Sequence, residues 1–199
     1  MCLAIFKPPG KDVSEAKLKG GWQSNPGGAG FAFVKGKKVV TQKGFMKLQD
    51  FLEAYNIARQ KNKKSPFLIH FRIPSMGDST AVNTHPFPFG GVNELLNNSF
   101  TSNAALIHNG TIYGTGAVHG AGPSDTAKFT ERYGPKLTFV NVEENKKYID
   151  LALGYNKVVI LYNDGSHQIL NEKEGHWMDG VWFSNRYFLT AAERIGGAT

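Results

Sequence analysis

Apolar positions along the chain recur with two periods. Leu48, Phe51, Leu52 and Tyr55 follow the i, i+3, i+4, i+7 spacing that places one apolar stripe on a helix. Residues Asp125–Tyr133 and Val142–Leu153 read as two further helices, the second with Tyr148, Ile149, Ala152 and Leu153 placed to face a core. Short apolar runs bounded by Gly, Pro and Asn predict strands at Cys2–Phe6, Phe31–Val34, Val39–Thr41, Phe67–Arg72, Ala104–His108, Val158–Tyr162, Gln168–Leu170 and Val181–Ser184. Gly36-Lys37 and Asn163-Asp164-Gly165 predict hairpin turns, and Gly20–Gly30, rich in Gly, Asn and Pro, predicts a shaped loop. Strands gather at both ends of the chain with helices between them, a pattern expected of sheets packed under helices. With no internal repeat and no low-complexity linker, residues 1–199 are expected to form a single domain around one sizeable core.

Composition changes this picture little. Hydrophobic residues make up 41% of the chain and charged residues 20%, which excludes a disordered chain. No apolar run approaches the roughly 20 residues that span a bilayer, and the first ten residues lack a basic lead-in and a long apolar stretch. No membrane contact and a cytoplasmic location are therefore expected. The net charge of +7 concentrates at Lys35-Gly36-Lys37-Lys38 and Arg59-Gln60-Lys61-Asn62-Lys63-Lys64. A nucleic-acid footprint is one reading. A turn between strands and the C-terminal end of a helix, where cations favour the dipole, explain the clusters without one, so nucleic acid is not expected as a partner.

The chain has one cysteine, which excludes an intramolecular disulfide and a multi-cysteine metal cage. Its place is informative. Cys2 becomes the N-terminus once Met1 is removed, although a small hydrophobe opening a buried strand would look the same. Further polar groups stand at predicted strand ends, where loops converge: His70-Phe71-Arg72-Ile73-Pro74-Ser75-Met76-Gly77, Asn83-Thr84-His85-Pro86-Phe87 and His108-Asn109-Gly110, with Ser124-Asp125-Thr126 at a helix start.

An N-terminal Cys, an Arg at a strand end, an Asn-x-His-Pro segment, an Asn-Gly pair and an Asp soon after resemble, in that order and over nearly the whole chain, the class II glutamine amidotransferase domain of the N-terminal-nucleophile hydrolases. Asn25-Pro26-Gly27-Gly28-Ala29-Gly30 is similar to the family's early glycine loop. The resemblance implies an α+β fold, a four-layer αββα sandwich of two antiparallel sheets with helices outside. It implies Cys2 as nucleophile, Asn109 and Gly110 as oxyanion donors, and Arg72, Ile73, Ser75, His85 and Asp125 around L-glutamine, with no cofactor and no metal. Ile73-Pro74 in place of an aromatic-containing stretch, Met76 in place of a His and Gly27 at an often acidic position depart from the pattern and bear on the pathway more than on the first chemical step.

The residues also make chemical sense individually. The thiolate is the reactive form of Cys, and a free α-amine with a pKa of about 8 can take the thiol proton and return it to the departing ammonia. Asn109 and Gly110 offer N–H groups to an oxyanion, or form a tight turn, or both. Arg72 matches a carboxylate with its guanidinium fork, or is a strand-end charge; Asp125 matches an ammonium, or opens a helix; His85 binds substrate, or sits in the core. No P-loop, dinucleotide fingerprint or sugar-isomerase extension is present, so an ammonia-accepting synthase is expected as a separate partner. A hydrolase of another γ-glutamyl amide and a catalytically idle binding module are the alternatives. The sequence does not fix an oligomeric state.

Overall fold

The structure is a computed structural model that describes residues 1–89, 99–189 and 193. Its strands are β1 (Leu3–Lys7), β2 (Ala29–Lys35), β3 (Lys38–Phe45), β4 (Phe67–Phe71), β5 (Phe87–Pro88), β6 (Ser99–Ser102), β7 (Ala104–Asn109), β8 (Lys157–Tyr162), β9 (His167–Leu170), β10 (His176–Met178) and β11 (Val181–Phe183). The helices are α1 (Glu15–Ser24), α2 (Leu48–Lys61), α3 (Asp125–Tyr133) and α4 (Phe139–Leu153). Among the described residues the strands form two antiparallel sheets, ordered β10-β11-β1-β4-β2-β3-β6 and β5-β7-β8-β9.

Alternation along the strands builds the layers. Leu3 and Ile5 of β1, Phe31 and Phe33 of β2 and Phe67, Ile69 and Phe71 of β4 point one way, onto Leu18 of α1 and Phe51, Leu52 and Tyr55 of α2. Ala4, Phe6, Ala32 and Leu68 point the other way and meet Ala105, Ile107, Val159 and Leu161 of the second sheet. The outer face of that sheet, Ala104, Leu106, Val158 and Ile160, takes Val142, with Phe129, Ile149 and Leu153 packed against it. The result is helix, sheet, sheet, helix: the α+β four-layer αββα sandwich. No helix among the described residues is long and apolar enough to cross a membrane.

Three local departures from expectation have physical causes. Half of the expected Gly20–Gly30 loop is helix, because Ser14 caps α1 by accepting from the Lys17 N–H at 3.4 Å and the helix runs on through Ser24. Gly20 and Gly21 serve packing there, since a Cβ on Gly21 would lie 2.8 Å from the Phe71 ring and one on Gly20 would strike the Phe188 carbonyl. In α4 the buried stripe is Val142, Ile149 and Leu153, so Tyr148 and Ala152, expected to face the core, are exposed. Thr138 starts that helix by capping Asn141, one turn earlier than the apolar spacing indicates. Finally, β5, β6 and β10 are short edge or near-edge strands with few apolar residues, and the hydrophobic pattern did not mark them.

Candidate active site

Cys2 stands at the head of β1, a strand held between β4 and β11. The register pairs Leu3 with Phe71, which sets Cys2 beside the chain leaving β4. There its Sγ lies 3.4 Å from both the Ile73 N–H, which donates to it, and the Ile73 carbonyl. On the β11 side Asn185 donates to the Cys2 carbonyl at 2.8 Å. Ser184 Oγ accepts from the Ala4 N–H and from Asn109 Nδ2, each at 2.9 Å. One hydroxyl thus ties the first strand of one sheet to Asn109 at the end of β7 in the other.

Asn109 and Gly110 do not make a hairpin turn. Strand β7 runs through Asn109, and α3 and α4 intervene before its partner β8. Gly110 has φ of 145°, and a Cβ there would run into Asn156 Oδ1, so only glycine fits. The Asn109 carboxamide is buried, with one N–H on Ser184 and its Oδ1 unpartnered among the described residues. An amide nitrogen carries two hydrogens, so one remains for an incoming oxygen.

Arg72 is buried at the start of the loop after β4, and its guanidinium donates to the carbonyls of Asp78 (2.8 Å) and Met76 (3.0 Å) of that loop. Those bonds engage two of the five N–H donors. Asn83 fastens the same loop: its Nδ2 donates to Asp78 Oδ1 at 2.6 Å and to the Gly122 carbonyl at 2.8 Å, and its Oδ1 accepts the Ser124 N–H at 2.8 Å. Ser124 caps α3, and Asp125 opens it. Asp125 is buried, its carboxylate accepting the Ile112 N–H at 2.6 Å and the Thr126 N–H at 2.8 Å. The departure at Gly27 also has a structural partner, since any Cβ there would press on Pro74 and the Arg72 carbonyl.

Cys2, Ile73, Ser75 and Gly110 line one cavity of about 660 Å³, together with Met1, Thr111–Tyr113 and Leu151–Asn156. Arg72, Asn109 and Asp125 are buried and are not among the residues that line this cavity. Burial pushes the Cys2 thiol up; the Ile73 N–H, the chain's terminal ammonium and Arg72 pull it down, and Asp125 pushes it up. The net direction is upward, so the thiol is held protonated. Among the described residues no imidazole or carboxylate hydrogen-bonds Sγ.

His85 lies apart from the cavity, in the layer between the sheets. Its ring packs on His70 with centroids 4.0 Å apart, and both of its nitrogens are buried without a partner among the described residues. His70 Nε2 donates to the His108 carbonyl at 2.9 Å, and His108 bridges Thr126 Oγ1 and Asn156 Oδ1 at 2.8 Å each. Burial pushes all three imidazoles down, His70 to about 3, and their mutual proximity adds to this for His70 and His85.

These rings are neutral in the fold and charge readily once unfolded, so below pH 6.5 the unfolded chain binds more protons. The stability His70 contributes is complete above about pH 6.5 and is lost as pH falls toward about 3, and His85 and His108 shift it in the same direction. Near pH 5 His70 alone contributes a slope of about 1 kcal/mol per pH unit, and His85 and His108 act in the same direction. Urea unfolding at pH 7.5, 6 and 5 is expected to show the midpoint falling steeply below pH 6.5. A midpoint unchanged to pH 5 would contradict the buried neutral cluster.

Ser184, Asn185 and Asn156 were not singled out for the site by the sequence reading. Single polar residues at a strand end or a turn carry no spacing signal, and only the pairing of β1 with β11 and of β7 with β8 brings them to the site.

No protein-family model matches the chain, and no curated protein does either. Among solved structures, one described as the structure of the allosteric regulatory enzyme of purine biosynthesis superposes with a TM-score of 0.54 at 16% sequence identity, covering 92% of this chain and 41% of that one. This chain therefore spans about two fifths of that protein's length, and what the two share at this identity is the fold.

Proposed function

We propose that the chain is a class II glutamine amidotransferase-type hydrolase that releases ammonia from L-glutamine through Cys2 as an N-terminal nucleophile. The observation that carries this reading is the setting of Cys2: a thiol that needs a base, opening into a cavity shared with Gly110, with no side-chain base bonded to it. Removal of Met1 supplies the base. The freed α-amine takes the thiol proton, and sulfur attacks the side-chain carbonyl carbon. The carbonyl electrons move to oxygen, where Asn109 Nδ2 and the Gly110 N–H meet the negative charge. Collapse breaks the C–N bond, the α-ammonium returns its proton to the leaving nitrogen, and ammonia departs. Water then attacks the thioester, giving glutamate and free thiol.

In this reading Arg72 takes the substrate α-carboxylate with the donors its loop leaves open, and Asp125 takes the α-ammonium on a remaining lone pair. Ile73 and Ser75 shape the near wall, and His85 supports that wall from the core through His70. We take residues 1–199 as one functional unit and a separate synthase as the ammonia acceptor. The test is glutamine-dependent ammonia release by protein lacking Met1. Arg72→Ala and Asp125→Ala are expected to lower kcat/KM by about 1.5–3 kcal/mol each, roughly tenfold to over a hundredfold. Melting curves must accompany both, since each side chain also ties a loop. No ammonia from well-folded, Met1-free protein would overturn the reading.

A further inference from the structure

We propose that the cavity beside Cys2 selects γ-glutamyl amides whose amine portion is large and apolar, an aryl or branched alkyl amine, over glutamine itself. This rests on the amide-hydrolysing reading above and names its substrate class.

Size is the first argument. The leaving group of glutamine is a single nitrogen, whereas about 660 Å³ lies in the range that encloses a drug-sized ligand. The second is the chemistry of the far wall, built from Tyr113, Leu151 and Tyr155. Tyr113 is 86% exposed, Leu151 81% and Tyr155 86%, an open apolar surface at the mouth of a reactive centre. The fold does not require them: α4 packs on its sheet through Val142, with Ile149 and Leu153 beside it.

Topology decides which end of the substrate meets this wall. Arg72 follows β4, and α3, which begins at Asp125, lies against β5. Strand β5 lies under β3, where Lys43 sits over the Phe87 ring at 4.1 Å. In sheet order β4 and β3 fall on one flank of β1, and β5 falls on the same flank of β7. The segment 151–156 leads into β8, on the opposite flank, where the Phe6 ring of β1 stacks on His167 of β9 at 4.0 Å. A γ-glutamyl group anchored toward Arg72 and Asp125 therefore places its amide nitrogen toward the apolar wall. The reaction balances as before: sulfur bonds to the acyl carbon, the C–N bond breaks, the α-ammonium protonates the departing amine, and water cleaves the thioester.

The experiment compares Met1-free protein on glutamine and on γ-glutamyl benzylamide, whose leaving amine is about as basic as ammonia. It measures released ammonia and benzylamine. We expect kcat/KM for the benzylamide to exceed that for glutamine at least tenfold. In a Leu151→Ser, Tyr155→Ser double variant, both changes being at exposed positions, we expect that preference to fall at least tenfold through a raised KM for the benzylamide. Glutamine turned over faster than the benzylamide would overturn this inference while leaving the amidohydrolase reading standing. A preference unchanged in the double variant would also overturn it, and would give the wall to some other occupant, such as a partner protein. Hydrolysis of neither compound would remove both.

Discussion

Cys2→Ala is expected to abolish ammonia release, by about 10⁴-fold or more in kcat, because no other residue can form the thioester. The chain has no second cysteine, and the thiol's hydrogen-bond contacts are to the Ile73 backbone. Loss of so small a group changes packing little, so a melting midpoint within roughly 1 kcal/mol of wild type is expected. The same experiment tests the amine. Intact mass of active protein should show loss of one Met, and blocking that removal should be as damaging as Cys2→Ala, because an amide nitrogen does not accept the thiol proton. With burial pushing the thiol up, little thiolate forms unaided. Full turnover by protein that retains Met1 would sink the free-amine mechanism.

Asn109→Ala should lower kcat on the order of 10²–10³ with a much smaller rise in KM, since the charge it meets exists only in the transition state. The structure adds a control. Asn109 Nδ2 also donates to Ser184 Oγ, which in turn accepts from Ala4 beside the nucleophile, so a defect could arise from a displaced β1. Ser184→Ala removes that tie and keeps the carboxamide. If Asn109 acts on the oxyanion, the Ser184→Ala loss is about tenfold or less, well short of Asn109→Ala. Equal losses in the two variants, or near-normal kcat in a well-folded Asn109→Ala, would show that Asn109 only positions the strand.

Much of the architecture was legible because its strands are apolar on both faces or strictly alternating. Leu3–Phe6, Phe67–Phe71 and Val158–Tyr162 announce themselves, and the Asn163-Asp164-Gly165 turn fixes one hairpin outright. The glycines misled where they answer to space rather than to turns, as at Gly20 and Gly21 against Phe188 and Phe71. Along the candidate site, the resemblance to the amidotransferase motifs brought Cys2, Ile73, Ser75 and Gly110 into view, and these four line one cavity. The structure sets His85 against His70 and Phe87, away from the cavity, which is the core reading that the sequence left open beside substrate binding. The apolar mouth was hidden for a different reason: Leu151 lies near the end of α4 and Tyr155 just past it, single apolar positions with no spacing signal, while Val142, Ile149 and Leu153 face the sheet.

Strand β1 is flanked by β11, and the Cys2 carbonyl is held by Asn185, 183 positions later in the chain. During synthesis Cys2 therefore emerges long before Asn185 and gains that support only after residue 185 has followed. Strand β4 can pair with β1 once residue 71 is out, but through that interval the Cys2 carbonyl lacks its Asn185 donor and β1 lacks β11. On the proposed reading of Cys2, topology alone thereby makes completion of its setting a late event. Nascent chains broken off before residue 181 would carry the cysteine without the architecture that directs it.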